Sequence, residues 1–108
     1  AALDNGCISD PATRDYIFND MSKVTSDTWG LGSAGVPAKW KGGWGPGVDG
    51  KYLVRQMGTM TVSGKELVVT LAAIPDDGTF ESGQAMASSI AQYVASNLSD
   101  YVSGPISC

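Results

Sequence analysis

The sequence predicts an α+β fold: a three-stranded antiparallel sheet with a C-terminal helix on one face and an N-terminal helix on the other. Three observations carry that expectation. Runs rich in β-branched and apolar residues cover 51–62 and 66–74, and Ser63-Gly64-Lys65 between them is short enough for a hairpin. A shorter run, Lys39 to Trp44, is separated from them by the turn-forming residues Gly45-Pro46-Gly47 and Asp49-Gly50. Apolar residues at helical steps flank this block on both sides. At 108 residues the chain has the size of one core, so 1–108 reads as a single domain or a domain fragment.

The first helix begins at Ser9-Asp10-Pro11, a capping side chain followed by proline in the first turn. Ala12, Tyr16, Ile17, Met21 and Val24 form its expected apolar face. Thr25 to Pro37 breaks into Ser, Gly and Thr around Trp29 and Leu31 and reads as a loop. The strand from Glu66 to Ile74 is apolar on both faces, which predicts a central position with a layer on each side. Pro75-Asp76-Asp77-Gly78 ends it. The last helix runs from Phe80 to about Leu98, with Met86, Ile90, Val94 and Leu98 on its apolar face and Ala87, Ala91 and Ala95 as a small-residue flank.

Charge and composition exclude several functions. Seven Lys and Arg against eleven Asp and Glu give a net charge of −4, which argues against a nucleic-acid or anionic-membrane surface. There is no histidine, which removes the Ser-His-Asp triad, the Cys-His pair and imidazole zinc sites. The longest apolar stretch, Leu67 to Ile74, is interrupted by Thr70 and falls far short of the roughly 20 residues that cross a bilayer. No membrane span and no cofactor are expected. Without a charged leader at its start, the chain is expected to have lost any secretion signal.

Cys7 and Cys108 lie near opposite ends and belong to no CxxC motif. They are either two unrelated buried thiols or, the preferred reading, a disulfide tying the termini together. Closing a loop of about 100 residues contributes up to about 4.7 kcal/mol in the chain-entropy model. Such a bond implies an oxidising compartment, hence a secreted or extracellular protein.

One stretch has a recognisable order: Lys41-Gly42-Gly43-Trp44-Gly45-Pro46, then Tyr52-Leu53-Val54-Arg55-Gln56-Met57-Gly58, then Leu67-Val68-Val69-Thr70-Leu71, then a terminal helix. It resembles the C-terminal part of the penicillin-recognising serine hydrolases, the class A β-lactamases and DD-peptidase-like proteins. In that family a Lys-Thr-Gly triplet lies on an edge strand of an antiparallel sheet. The resemblance implies that Lys41 offers its charge to a substrate carboxylate. Gly43 would keep side chains away from an extended acyl substrate. The backbone N–H of Trp44 would serve as one oxyanion-hole donor, and Arg55 as a second carboxylate anchor. Gly42 stands where the family has Thr or Ser, so a hydroxyl that helps bind the carboxylate is missing. No Ser precedes a Lys by three positions, and there is no Ser-Asp-Asn triplet. The resemblance therefore implies the C-terminal half of a serine hydrolase, inactive alone. A complementary N-terminal segment or chain would bring the nucleophile, and a peptide-like or β-lactam-like small molecule would be the ligand.

Plainer readings stand beside these. Lys41 and Arg55 also read as solvated charges on strand faces. Trp40 and Trp44, four apart in a strand, face one side as core or edge-covering aromatics, or as a platform for an apolar or sugar-like ligand. The glycines from 42 to 50 lack the spacing of a phosphate cradle. Asp76, Asp77 and Glu81 read as an acidic complement to a helix N-terminus more readily than as a calcium site. Asn97-Leu98-Ser99 is a formal glycosylation sequon inside a predicted helix. The alternative functions are a small secreted, disulfide-stapled, non-catalytic binding module, and a secreted structural or antigen-like protein without a ligand.

Overall fold

The computed structural model of the chain describes residues 1–97 and 108. Its elements are α1 (Pro11–Ser22), β1 (Ala38–Pro46), β2 (Tyr52–Val62), β3 (Lys65–Ala73) and α2 (Phe80–Ser96). The strands form one antiparallel sheet in the order β1-β2-β3, so the α+β class and the meander both emerge as expected. At the β2–β3 turn Ser63 and Gly64 both adopt positive φ, 50° and 76°, the conformation that suits the twist of a two-residue hairpin. Cys7 and Cys108 form a disulfide with Cα atoms 5.5 Å apart.

The core lies between one face of the sheet and α2. Val54 and Met60 of β2 are fully buried there, with Val69 and Leu71 of β3 and Ala87 and Ala91 of α2. The helix meets the sheet through its small residues. Gly83, Ala87 and Ala91 are its buried positions, and a Cβ on Gly83 would overlap Val54. This reverses the expectation that Met86 and Ile90 face the core. Both are well exposed, at 42% and 38%, because the four-residue step of small side chains allows closer approach to the strands than large ones would. Leu98, the last residue of the expected apolar stripe, lies outside the described residues, as does Ser99 of the sequon.

Two further expectations are corrected. The strand expected at the centre, β3, is an edge strand, and β2 is central. Its inward residues are covered, but Val68 and, just beyond its end, Ile74 are exposed, because nothing among the described residues covers the other face there. In α1 no residue is buried. Ile17, Phe18 and Met21 are half-covered, whereas Ala12 and Tyr16 face solvent. This helix starts as predicted, with Asp10 accepting from Thr13 N at 3.0 Å, and it touches the sheet at β1, where the Lys39 ammonium lies 5.6 Å from the Phe18 ring centre. At that corner Thr59, the register partner of Lys39, is buried.

The segment read as a loop is the least legible part of the core. Gly30–Ser33 forms a 3₁₀ turn whose Leu31 is completely buried. Gln56 of β2, 1% exposed, holds it from beneath. Its Oε1 accepts from Leu31 N at 2.7 Å, and its Nε2 donates to Trp29 O at 2.9 Å and Asp27 O at 3.2 Å. From α2, the Ser88 hydroxyl accepts from Gly30 N at 2.9 Å. A buried amide of this kind is tolerated because each of its polar atoms is partnered.

Candidate functional site

Alternation along β1 divides the sequence-derived residues into two sets. Lys41 and Gly43 project to the face away from α2, and Arg55 stands on that face directly across from Gly43. Lys41 and Arg55 are exposed, and no ion pair involves either among the described residues. The Lys41 ammonium donates to the carbonyl of Gly42 at 2.6 Å. No atom lies within 4 Å of where a Cβ on Gly43 would stand, so an open strip runs between the two cations. Since β1 is an edge strand, alternate peptide groups on its outer side are free of sheet partners.

Gly42 and Trp44 face the other way, toward α2. Gly42 is buried, and the position its Cβ would take lies 3.3 Å from Trp44 Cζ3, 3.5 Å from Trp29 Cζ2 and 3.7 Å from Asp27 Oδ2. A side chain restored at position 42 would thus begin in tight contact with the Trp44 indole, which would have to yield slightly. Trp44 belongs to an aromatic group: Trp29 at 6.1 Å edge-on, Phe80 at 5.5 Å, and Tyr52 behind Phe80 at 5.4 Å. Trp40 is half-buried against Gly32, away from this group. Asp27, Trp29, Tyr52, Gln56 and Phe80 carried no signal in the sequence, because three of the elements they come from are contiguous only in space.

Elsewhere, Asp4, Arg14, Asp15, Phe18, Lys39 and Glu66 line a cleft of about 350 Å³ under α1, with the Arg14–Asp15 pair satisfied internally at 2.8 Å. At the start of α2, Asp77 accepts from the Ser82 hydroxyl, from Thr79 N and from the Thr79 hydroxyl. These bonds, the Ser82 hydroxyl first, hold its carboxyl below the ordinary value of 3.8. That fits the helix-start role expected for the acidic cluster. Among the described residues no group of three His, Cys, Asp or Glu is placed to hold a metal ion.

No protein-family model matches the sequence and no curated protein matches it at a significant level, which leaves the β1 edge and its neighbours to carry the functional reading.

Proposed function

We propose that this chain is the C-terminal half of a secreted β-lactamase- or DD-peptidase-like serine hydrolase and supplies the substrate-binding strand Lys41-Gly42-Gly43. One observation carries the reading: Lys41 and Gly43 of β1 and Arg55 of β2 share a sheet face, and β1 has no strand partner on its outer edge among the described residues. An extended acyl substrate would lie along β1 over Gly43 in the manner of an added strand. Lys41 and Arg55 would flank it and hold a carboxylate, Arg55 through a bidentate fork. A serine on the complementary segment would attack the acyl carbonyl, with the N–H of Trp44 offered to the oxyanion. The chain alone would be inactive, since it has no Ser-x-x-Lys nucleophile.

Two further features support a missing layer. The outward side of β3 leaves Val68 37% and the adjoining Ile74 57% exposed. On the outer side of α2, Met86, Ile90 and Tyr93 form a second bare stripe at steps of four and three. Isolation from the native source under mild conditions, with intact-mass measurement of everything that co-elutes, tests the proposal. A second species carrying Ser-x-x-Lys, and acyl transfer by the pair but not by this chain, is the expected result. A lone, monomeric species two hydrogen atoms lighter than its reduced sequence mass would sink it. That outcome would favour an extracellular binding module without catalysis, a reading that the Cys7–Cys108 closure supports.

A further inference from the structure

We infer that a second copy of this chain pairs with β3 edge to edge, joining the two three-stranded sheets into one continuous sheet. Thr61 N donates to Pro37 O at 2.8 Å, so the odd-numbered residues of β2 bond toward β1 and the even-numbered ones toward β3. Through the register, the N–H and C=O groups of Glu66, Val68, Thr70 and Ala72 then point off the sheet, and no strand meets them among the described residues. The opposite edge is blunted. β1 contains Gly42, Gly43 and Gly45 and ends at Pro46, and the Lys41 ammonium sits on the outward carbonyl of Gly42 at 2.6 Å. β3 has none of these devices. Its 9 residues hold no proline and no glycine, and their register with β2 is unbroken, which leaves an edge open to a long partner strand.

The strand is complementary to itself. An antiparallel pair centred on Val69 uses the whole of β3 and sets inward side against inward side, with Leu67 across from the partner's Leu71. Lys65 and Glu66, the two charges on the strand, cancel within each copy and stand across from the partner's Ala73 and the partner's Ala72. No like charges meet there, although the chain carries −4 overall. The bare stripe of α2 lies on the same side of the molecule. Ser88 and Gln92 reach the 3₁₀ turn, accepting from Gly30 N and donating to Ser33 O, and that turn lies over β1 and β2. Helical geometry puts Met86, Ile90 and Tyr93 on the opposite flank of the buried Gly83, Ala87 and Ala91, toward the β3 edge. A two-fold pairing of the strands therefore turns the two stripes toward each other above the joined edge, so backbone and apolar surface are covered together.

The pairing is independent of the hydrolase reading, which needs only the β1 side, and its failure would leave Lys41 and Arg55 where they stand. The intact, disulfide-bonded chain is used for the test, by sedimentation equilibrium and by amide hydrogen exchange at low and high concentration. A concentration-dependent dimer is expected. On dimerisation the amides of Glu66, Val68, Thr70 and Ala72 should slow, and those of Trp40, Gly42 and Trp44 should not. Val68→Pro removes an outward N–H that β2 does not use, and Ile90→Lys puts a charge into the α2 stripe. Each should raise the dissociation constant of the dimer roughly tenfold or more. If Val68→Pro disturbs the strand itself, Ile90→Lys, at a surface position, carries the test. A monomer at every concentration up to about 1 mM would overturn the assignment. So would a dimer that Ile90→Lys leaves as tight as the native one, or slowed exchange at Trp40, Gly42 and Trp44 in place of the β3 amides.

Discussion

The two faces of the sheet are built from alternate residues of the same strands, yet they meet different fates. On one face Val54, Met60 and Leu71 are covered by α2 and the 3₁₀ turn. On the other, Met57, Val68 and neighbouring Ile74 are 58%, 37% and 57% exposed, and Lys41 and Arg55 stand free of ion pairs among the described residues. The strands differ in part, since the outward side of β3 mixes Val68 and Ala72 with Glu66 and Thr70. The covering elements differ more: α2 offers Gly83, Ala87 and Ala91 to the sheet, whereas α1 meets it around Lys39 with no residue of its own buried. Strand composition makes a face suitable for burial, and a helix of the right shape is needed to bury it.

The largest effect belongs to the covered face. Leu31→Ala removes a fully buried side chain from the junction of turn, sheet and α2, and should cost about 2–5 kcal/mol in denaturant unfolding. On the bare face, Met57→Ser combined with Ile74→Ser should change stability by no more than about 0.5 kcal/mol. The same pair should reduce self-association in light scattering, because it dilutes the apolar patch. A loss of stability comparable to that of Leu31→Ala would mean that the second face is covered after all.

The smallest effect concerns the clasp that starts α2. Because the folded carboxyl of Asp77 lies below its ordinary value of 3.8, its contribution is fully present above that value and is lost as pH falls through the lower, folded one. Asp77→Asn should therefore flatten acid unfolding in that window and leave stability near neutrality less dependent on the Ser82 and Thr79 contacts. An unchanged acid limb would remove Asp77 as the anchor of the helix that covers the sheet.

Local signals made most of the architecture legible. Asp10-Pro11 marks the start of α1, Ser63-Gly64 marks the hairpin, and β-branched runs mark β2 and β3. The two cysteines suggested a bond that the structure contains. Legibility failed where the deciding contact was distant in the chain. Leu31 sits in a run of Gly and Ser with no periodicity, and partners distant in the chain, the Gln56 amide 25 residues later and α2, make it a core residue. The face of α2 was misassigned because large apolar residues outweigh small ones in any periodicity argument, while close packing selects the small ones. For the site, alternation correctly placed Trp40 and Trp44 on one side, but it could not bring Asp27 to Gly42, because nothing in the residues 25–37 predicts where that loop folds back.

Gln56 also guards against misassembly. Side chains change face with every residue along β2, so a one-residue slip of its pairing would carry Arg55 or Met57 beneath the 3₁₀ turn, depending on its direction, and send Gln56 outward. Either slip would strand the Leu31 amide and the Trp29 and Asp27 carbonyls without partners, and one of them would also trap an unpaired guanidinium in the core. An all-apolar residue at position 56 would pack the correct alignment but would leave the wrong one far less costly. A single buried amide thus acts as a proofreading device for strand alignment, rejecting the mistaken sheet rather than merely strengthening the right one.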